Sequence, residues 1–242
     1  MPAMPIAQTR ADQAHNSRVR HSTNIVESLW AQVFADRGWA FPRGDIQGRI
    51  ARHYTRQPPH PGSRKFAAVR ESAHFVLAHL EKLGACSAEI YRGFHAWGGE
   101  ARQLCDVCLT DVRQLLCRAR VVVAGPIAGE LLGDGKATDN IEELLKGRFL
   151  LVRAAELVGC RKGPLWRDTL VEAARRVEFF TPEILDLSAL LAQRNVIRAF
   201  EHPVARILRR VDTRLVKSFP PLSQRSENIL ADIAATFSEF SK

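Results

Sequence analysis

Long apolar runs are missing from this 242-residue chain. None approaches the roughly 18–20 residues of a membrane-spanning helix, and no short apolar core with a cleavage pattern marks a secretory leader. Cysteine is sparse. The five present are odd in number and irregularly spaced, which makes no disulfide framework and points to a reducing compartment. The expected location is the cytoplasm, with the mitochondrial matrix as the alternative. Residues 1–21 carry Arg and His with almost no acid, as targeting segments do, but Pro2 and Pro5 oppose a helix there. Catalytic signatures are missing as well: there is no H-E-x-x-H, G-x-S-x-G or G-x-G-x-x-G, and no cluster of aspartates. The expectation is a protein that is not an enzyme, with no cofactor and no metal.

Acidic residues are also scarce at the start of the chain. Residues 1–70 hold eleven Lys and Arg against Asp12, Glu27, Asp36 and Asp45, so they carry most of the net charge of +9. Arginine outnumbers lysine 28 to 7. The planar guanidinium fork matches phosphate oxygens, so the balance favours a polyanionic partner, although a GC-rich genome biases composition the same way.

What is present is mostly helical punctuation. The pattern predicts a mainly α fold, a multi-helix bundle-like body with a small β element or wing near 120–124. Residues 1–62 read as a basic N-terminal arm with two short helices, one over about 22–36 and one from Asp45 carrying Ile46, Ile50 and Tyr54. The run Pro58-Pro59-His60-Pro61-Gly62-Ser63 breaks the chain. Residues 63–125 read as a three-helix unit: a helix over 65–83, a short one capped by Ser87 with Ile90, Tyr91, Phe94 and Trp97, and one over 100–118. The β-like run 120–124 follows. This order resembles a winged helix-turn-helix. Residues 126–138 read as a Gly-rich linker, and 139–242 as a C-terminal helical bundle. In that bundle Thr181-Pro182 is a helix start, and Ile229, Leu230, Ile233, Phe237 and Phe240 line a last helix.

Three constellations invite chemistry and fall short in sequence. The strand-like run leading to Gly133-Asp134-Gly135-Lys136 suggests a phosphate loop, but Glu130 stands where the first glycine belongs and Ala137 where a hydroxyl is needed. Cys105 and Cys108 form a lone C-x-x-C without two further ligands in zinc spacing. Glu71-Ser72-Ala73-His74 is a single Glu-x-x-His, where a di-iron bundle needs two such motifs and two more glutamates.

The clearest pattern lies over 203–217. Pro203 suits the first helical position. Val204, Ile207, Leu208, Val211 and Leu215 form one apolar stripe, and Arg206, Arg210, Arg214 and Lys217 recur at one-turn offsets opposite it, with Arg209 flanking. A smaller basic stripe, Arg49, Arg52 and Arg56, lies beside Tyr54, and Arg64 and Lys65 extend it. These ten basic residues are the expected contacts to a nucleic-acid backbone, RNA or DNA, within an assembly that includes other protein subunits. The alternative is a helical scaffold whose partner is another protein.

Overall fold

The computed structural model describes residues 63–93, 96–104, 108–214 and 219–239, all within the compact unit Pro59–Lys242. Expectations placed on residues 1–62, on Phe94, Cys105, Leu215 and Lys217, and on Phe240 lie outside the described residues.

Ser63 opens the first helix, α1 (Arg64–Leu80), by accepting from the Phe66 amide at 2.9 Å. Nearly every residue from Phe66 to Ala78 is buried, so α1 is a central helix rather than a one-sided one. Lys82 and Gly84 then turn the chain through positive φ (56° and 71°) into a hairpin, β1 (Ala85–Arg92) and β2 (Trp97–Gln103). The strands pair antiparallel with Ile90 opposite Gly99, and β3 (Val196–Arg198) adds to the other edge with Ile197 opposite Ala88. Ala88 and Ile90 point inward and are almost fully buried, which is the period of two that pins the sheet against the helices.

The Asp111 side chain accepts from the Gln114 amide at 3.1 Å and starts α2 (Val112–Leu132). A 3₁₀ turn (Ala137–Asn140) leads into α3 (Ile141–Val158), which ends where Gly159 adopts φ 68°. Then come α4 (Lys162–Phe179), α5 (Thr181–Arg194, ended by Asn195 at φ 62°), α6 (His202–Thr213) and α7 (Gln224–Glu239). α1 packs on α2, on α5 and on the sheet; α2 packs in turn on α3 and α4. One continuous core joins these elements, from Phe75 and Leu77 of α1 through Ile127 of α2 to Leu187 of α5 and Ile233 of α7.

The fold is therefore mainly α with a small β element, as the pattern predicts, but the β element sits elsewhere. The stretches expected as helices from Ser87 to Trp97 and from Glu100 onward hold β1 and β2 instead, and 120–124, expected as β, lie inside α2. The helix expected over 100–118 is replaced by the end of β2 and the start of α2, so the winged-helix order is absent from this part of the chain. The stretch expected as a linker is α2 as far as Leu132, and Phe66 packs against Gly129, Gly133 and Gly135.

Candidate functional site: a buried ion cluster and a basic helix face

Arg70, Glu71 and His74 occupy one length of α1, with Glu71 and His74 a single turn apart. The His74 Nδ1–H points at Glu71 Oε2 at 3.2 Å, and the Arg70 guanidinium donates to Glu71 Oε1 from Nη2 at 2.7 Å and from Nε at 3.0 Å. Glu143, in the first turn of α3, closes the group: its Oε2 lies 3.6 Å from His74 Nε2 and its Oε1 3.8 Å from Arg70 Nε. Asn140 Oδ1 accepts from Arg70 Nη1 at 2.8 Å. The Glu71 side chain is only 2% exposed and that of His74 11%.

α2 shapes the remaining wall. Pro126 stands inside it and has no N–H, so the carbonyl four residues earlier, that of Val122, receives no helical hydrogen bond. His74 Nε2 lies 3.3 Å from that oxygen and can donate to it. Gly125, next to the proline, is where the imidazole fits: a Cβ there would meet His74 Cε1 at 2.5 Å. On the opposite side, a Cβ on Gly99 of β2 would meet Glu89 O at 2.8 Å and would overlap the Glu71 side chain.

Two cations thus face two carboxylates in a nearly dry space. Burial by itself pushes the His74 imidazolium down, but Glu143 and Glu71 outweigh it and hold the pKa above its ordinary value. For Glu71, burial pushes up, and Arg70 followed by His74 overcomes it, keeping the carboxyl below its usual range. Arg70, caught between Glu143 and Glu71, is held charged. Every contact of His74 is an acceptor, which favours the doubly protonated ring in the same direction as the raised pKa.

Sequence spacing had already singled out Glu71 and His74, but not their third partner. Glu143 comes from another helix, and Arg70 enters the sequence reading only as one of the eleven basic residues of the first 70. The signal that was available is the segment Arg70-Glu71-Ser72-Ala73-His74: it matches the helical H-E-x-x-H zinc motif except that arginine stands in the first histidine's place.

No family model matches the chain, and no curated protein sequence matches it.

A second buried carboxylate, Glu81, ties the end of α1 to α2 and α4 through Arg120 (Nη2 to Oε2 2.9 Å) and Arg176. This cluster is structural glue between three helices.

The expected backbone-contact residues divide into three groups. Arg206 and Arg209 are exposed on α6 and have no acidic partner among the described residues. Lys65 is likewise exposed, while Arg64 donates to Asn195 Oδ1 at 2.7 Å and lies 5.0 Å over the Trp97 ring. Arg210 pairs with Asp186 on the surface. Arg214 turns inward, binding the buried Glu183 carboxylate at 2.7 and 2.9 Å and the Phe179 carbonyl at 3.0 Å. Arg49, Arg52, Arg56 and Lys217 lie outside the described residues. Beneath the face, Val204, Ile207, Leu208 and Val211 are buried as the stripe requires. One residue that sequence reasoning missed stands beside it: Phe200, two positions before α6, is 79% exposed.

Proposed function

We propose that this protein acts by binding rather than by catalysis, and that its partner is a nucleic acid held through the phosphate backbone. The observation that carries this reading is the α6 face. Arg206 and Arg209 are exposed and have no acidic partner among the described residues, on a helix whose other side is anchored in the core, with the exposed ring of Phe200 at its entrance. Guanidinium groups on a rigid support neutralise phosphates, and an exposed ring offers a stacking surface to an unpaired base. Arg210 is available to join them, because its surface pair with Asp186 is worth only about 0–1 kcal/mol and exchanges readily for a phosphate. Arg214 does not belong to the contact surface in this reading, since its charge is already matched by Glu183. The basic first 70 residues supply most of the remaining charge. The non-enzymatic half of the proposal draws on the buried cluster, where Glu71, His74 and Glu143 are matched by one another and by Arg70.

The test is affinity for a mixed-sequence single strand as a function of salt. Each backbone contact contributes a slope of about 0.7 in log K against log salt for a single strand. Arg206→Glu with Arg209→Glu is expected to weaken binding and to flatten the slope by roughly 1.4. A wild-type affinity that stays flat between low and moderate salt overturns the proposal.

The second reading is a scaffold subunit with a protein partner. It is favoured by the same Phe200 and by Leu104, 75% exposed, which are apolar groups in water. Phe200→Ser separates the two: a scaffold loses its partner, whereas a backbone binder keeps its salt slope.

A further inference from the structure

Glu71, His74 and Glu143 offer one imidazole nitrogen and two carboxylate oxygens within 4.8 Å of one another, and they come from two helices, α1 and α3, that both pack on α2. That donor set suits a divalent transition metal. The same space also holds Arg70, whose guanidinium bonds one oxygen of Glu71 and lies near one of Glu143. The other oxygen of each carboxylate faces His74. We infer that this is a cation site whose resident cation is the Arg70 guanidinium, and that it takes a divalent metal of the zinc or cobalt class once residue 70 is a neutral imidazole.

Three features of the geometry point this way. Positions 70 and 74 lie on one face of α1 at i,i+4 spacing, where two imidazoles reach one tetrahedral ion, and Glu143 stands opposite as the third ligand. The Val122 carbonyl, 3.3 Å from Nε2, holds the ring with Nδ1 toward Glu71 and the Nε2 edge toward Glu143, and a carbonyl on one ring nitrogen is the kind of contact that orients a metal-bound histidine. Gly125 leaves the space that the imidazole ring fills, and Gly99 the space that the Glu71 side chain fills. Against a metal in the native protein stands the permanent charge of Arg70. A dication would sit within a few ångströms of a guanidinium that cannot lose its proton.

The full chain is titrated with cobalt(II), read by visible absorption and by metal content after desalting. Wild type is expected to show no site-specific cobalt spectrum. Arg70→His is expected to bind one cobalt per chain at least about 100-fold tighter than wild type, given the charge removed, with the intense bands of a low-coordinate ion. Those bands disappear in Arg70→His/His74→Ala and in Arg70→His/Glu143→Gln. Stoichiometric binding by wild type that His74→Ala abolishes overturns the inference, and so does a folded Arg70→His without site-specific cobalt. If Arg70→His does not fold, Arg70→Gln takes its place. Cobalt is then expected to raise the melting temperature of Arg70→Gln and leave that of wild type unmoved; equal responses of the two overturn the inference.

Discussion

Arg214→Ala removes the guanidinium that faces Glu183, a carboxylate whose side chain is 3% exposed and has no other partner among the described residues. Leaving one member of a buried ion pair alone costs about 3–5 kcal/mol. Two features lower that figure here. The Arg214 side chain is itself 38% exposed, so water enters the space it vacates, and Glu183 lies in the first turn of α5, where the unpaired amides favour a negative charge. Loss of the Phe179 carbonyl bond and of the ring contact at 4.8 Å acts in the other direction. The expected net cost is about 2–3 kcal/mol, or a melting temperature lower by roughly 5–10 °C for a unit of this size. Arg206→Ala and Arg209→Ala, on the same helix, are expected to stay within about 0.5 kcal/mol of wild type. Thermal unfolding by circular dichroism distinguishes these variants. The decisive control is Arg214→Ala/Glu183→Gln, which removes the stranded charge and should recover about half of the loss. If Arg214→Ala melts with wild type, or Glu183→Gln gives no recovery, Arg214 is an ordinary surface arginine and the division of the α6 face is wrong.

Gly125→Ala is expected to cost about 3 kcal/mol in a denaturant melt, because its methyl group displaces the His74 ring. Gly163→Ala on α4, with nothing within 4 Å of its Cβ, is expected to be neutral or stabilising by up to about 1 kcal/mol. The ion cluster also sets a pH window. The raised His74 pKa contributes stability that is complete below 6.5 and lost as pH rises through the folded value, while the lowered Glu71 pKa contributes stability present above 4.5 and lost on acidification. Melting temperature should therefore fall as pH rises above 6.5, and His74→Gln should reduce that slope; an unchanged slope refutes the assignment. Alkylation followed by mass mapping should modify Cys108 well before Cys117. The first is exposed, with its thiol pKa lowered by the Thr110 hydroxyl, and the second is pushed up to about 11 by burial and then by Glu81.

α6 was legible in the sequence because one side of it meets the core and the other meets water, so hydrophobic period and charge stripe agree. What α6 alone does not contain is the acids that its arginines pair with: Asp186 and Glu183 belong to α5, and they decide which arginines have no acidic partner among the described residues. The run Val121-Val122-Val123 reads as a strand because β-branched residues prefer one, yet α1, α3 and α4 enclose it and packing overrides propensity. The opposite mismatch hides the hairpin. Ala85–Arg92 and Trp97–Gln103 contain one β-branched residue, Ile90, and their apolar residues happen to fall at helical spacing. Those strands exist because α1 offers them a surface, which no local pattern reports. The site was legible to the same depth. Glu71 and His74 are local, whereas Glu143 and the Gly125-Pro126 pair join them only through the tertiary fold.

The proline in α2 has a consequence for how the site can change over time. A side chain that positions a histidine can be altered by any substitution at its own codon, and many such groups also change state with pH. The Val122 oxygen does neither: every amino acid at position 122 supplies the same carbonyl, and it carries no titratable proton. Only position 126 controls its availability, because any other residue there would bring an N–H to compete with His74 for the same lone pairs. The orientation of the buried imidazole is thus encoded in part at a residue that makes none of its hydrogen bonds. Pro126→Ala, unremarkable by volume, is the substitution through which that orientation would be released.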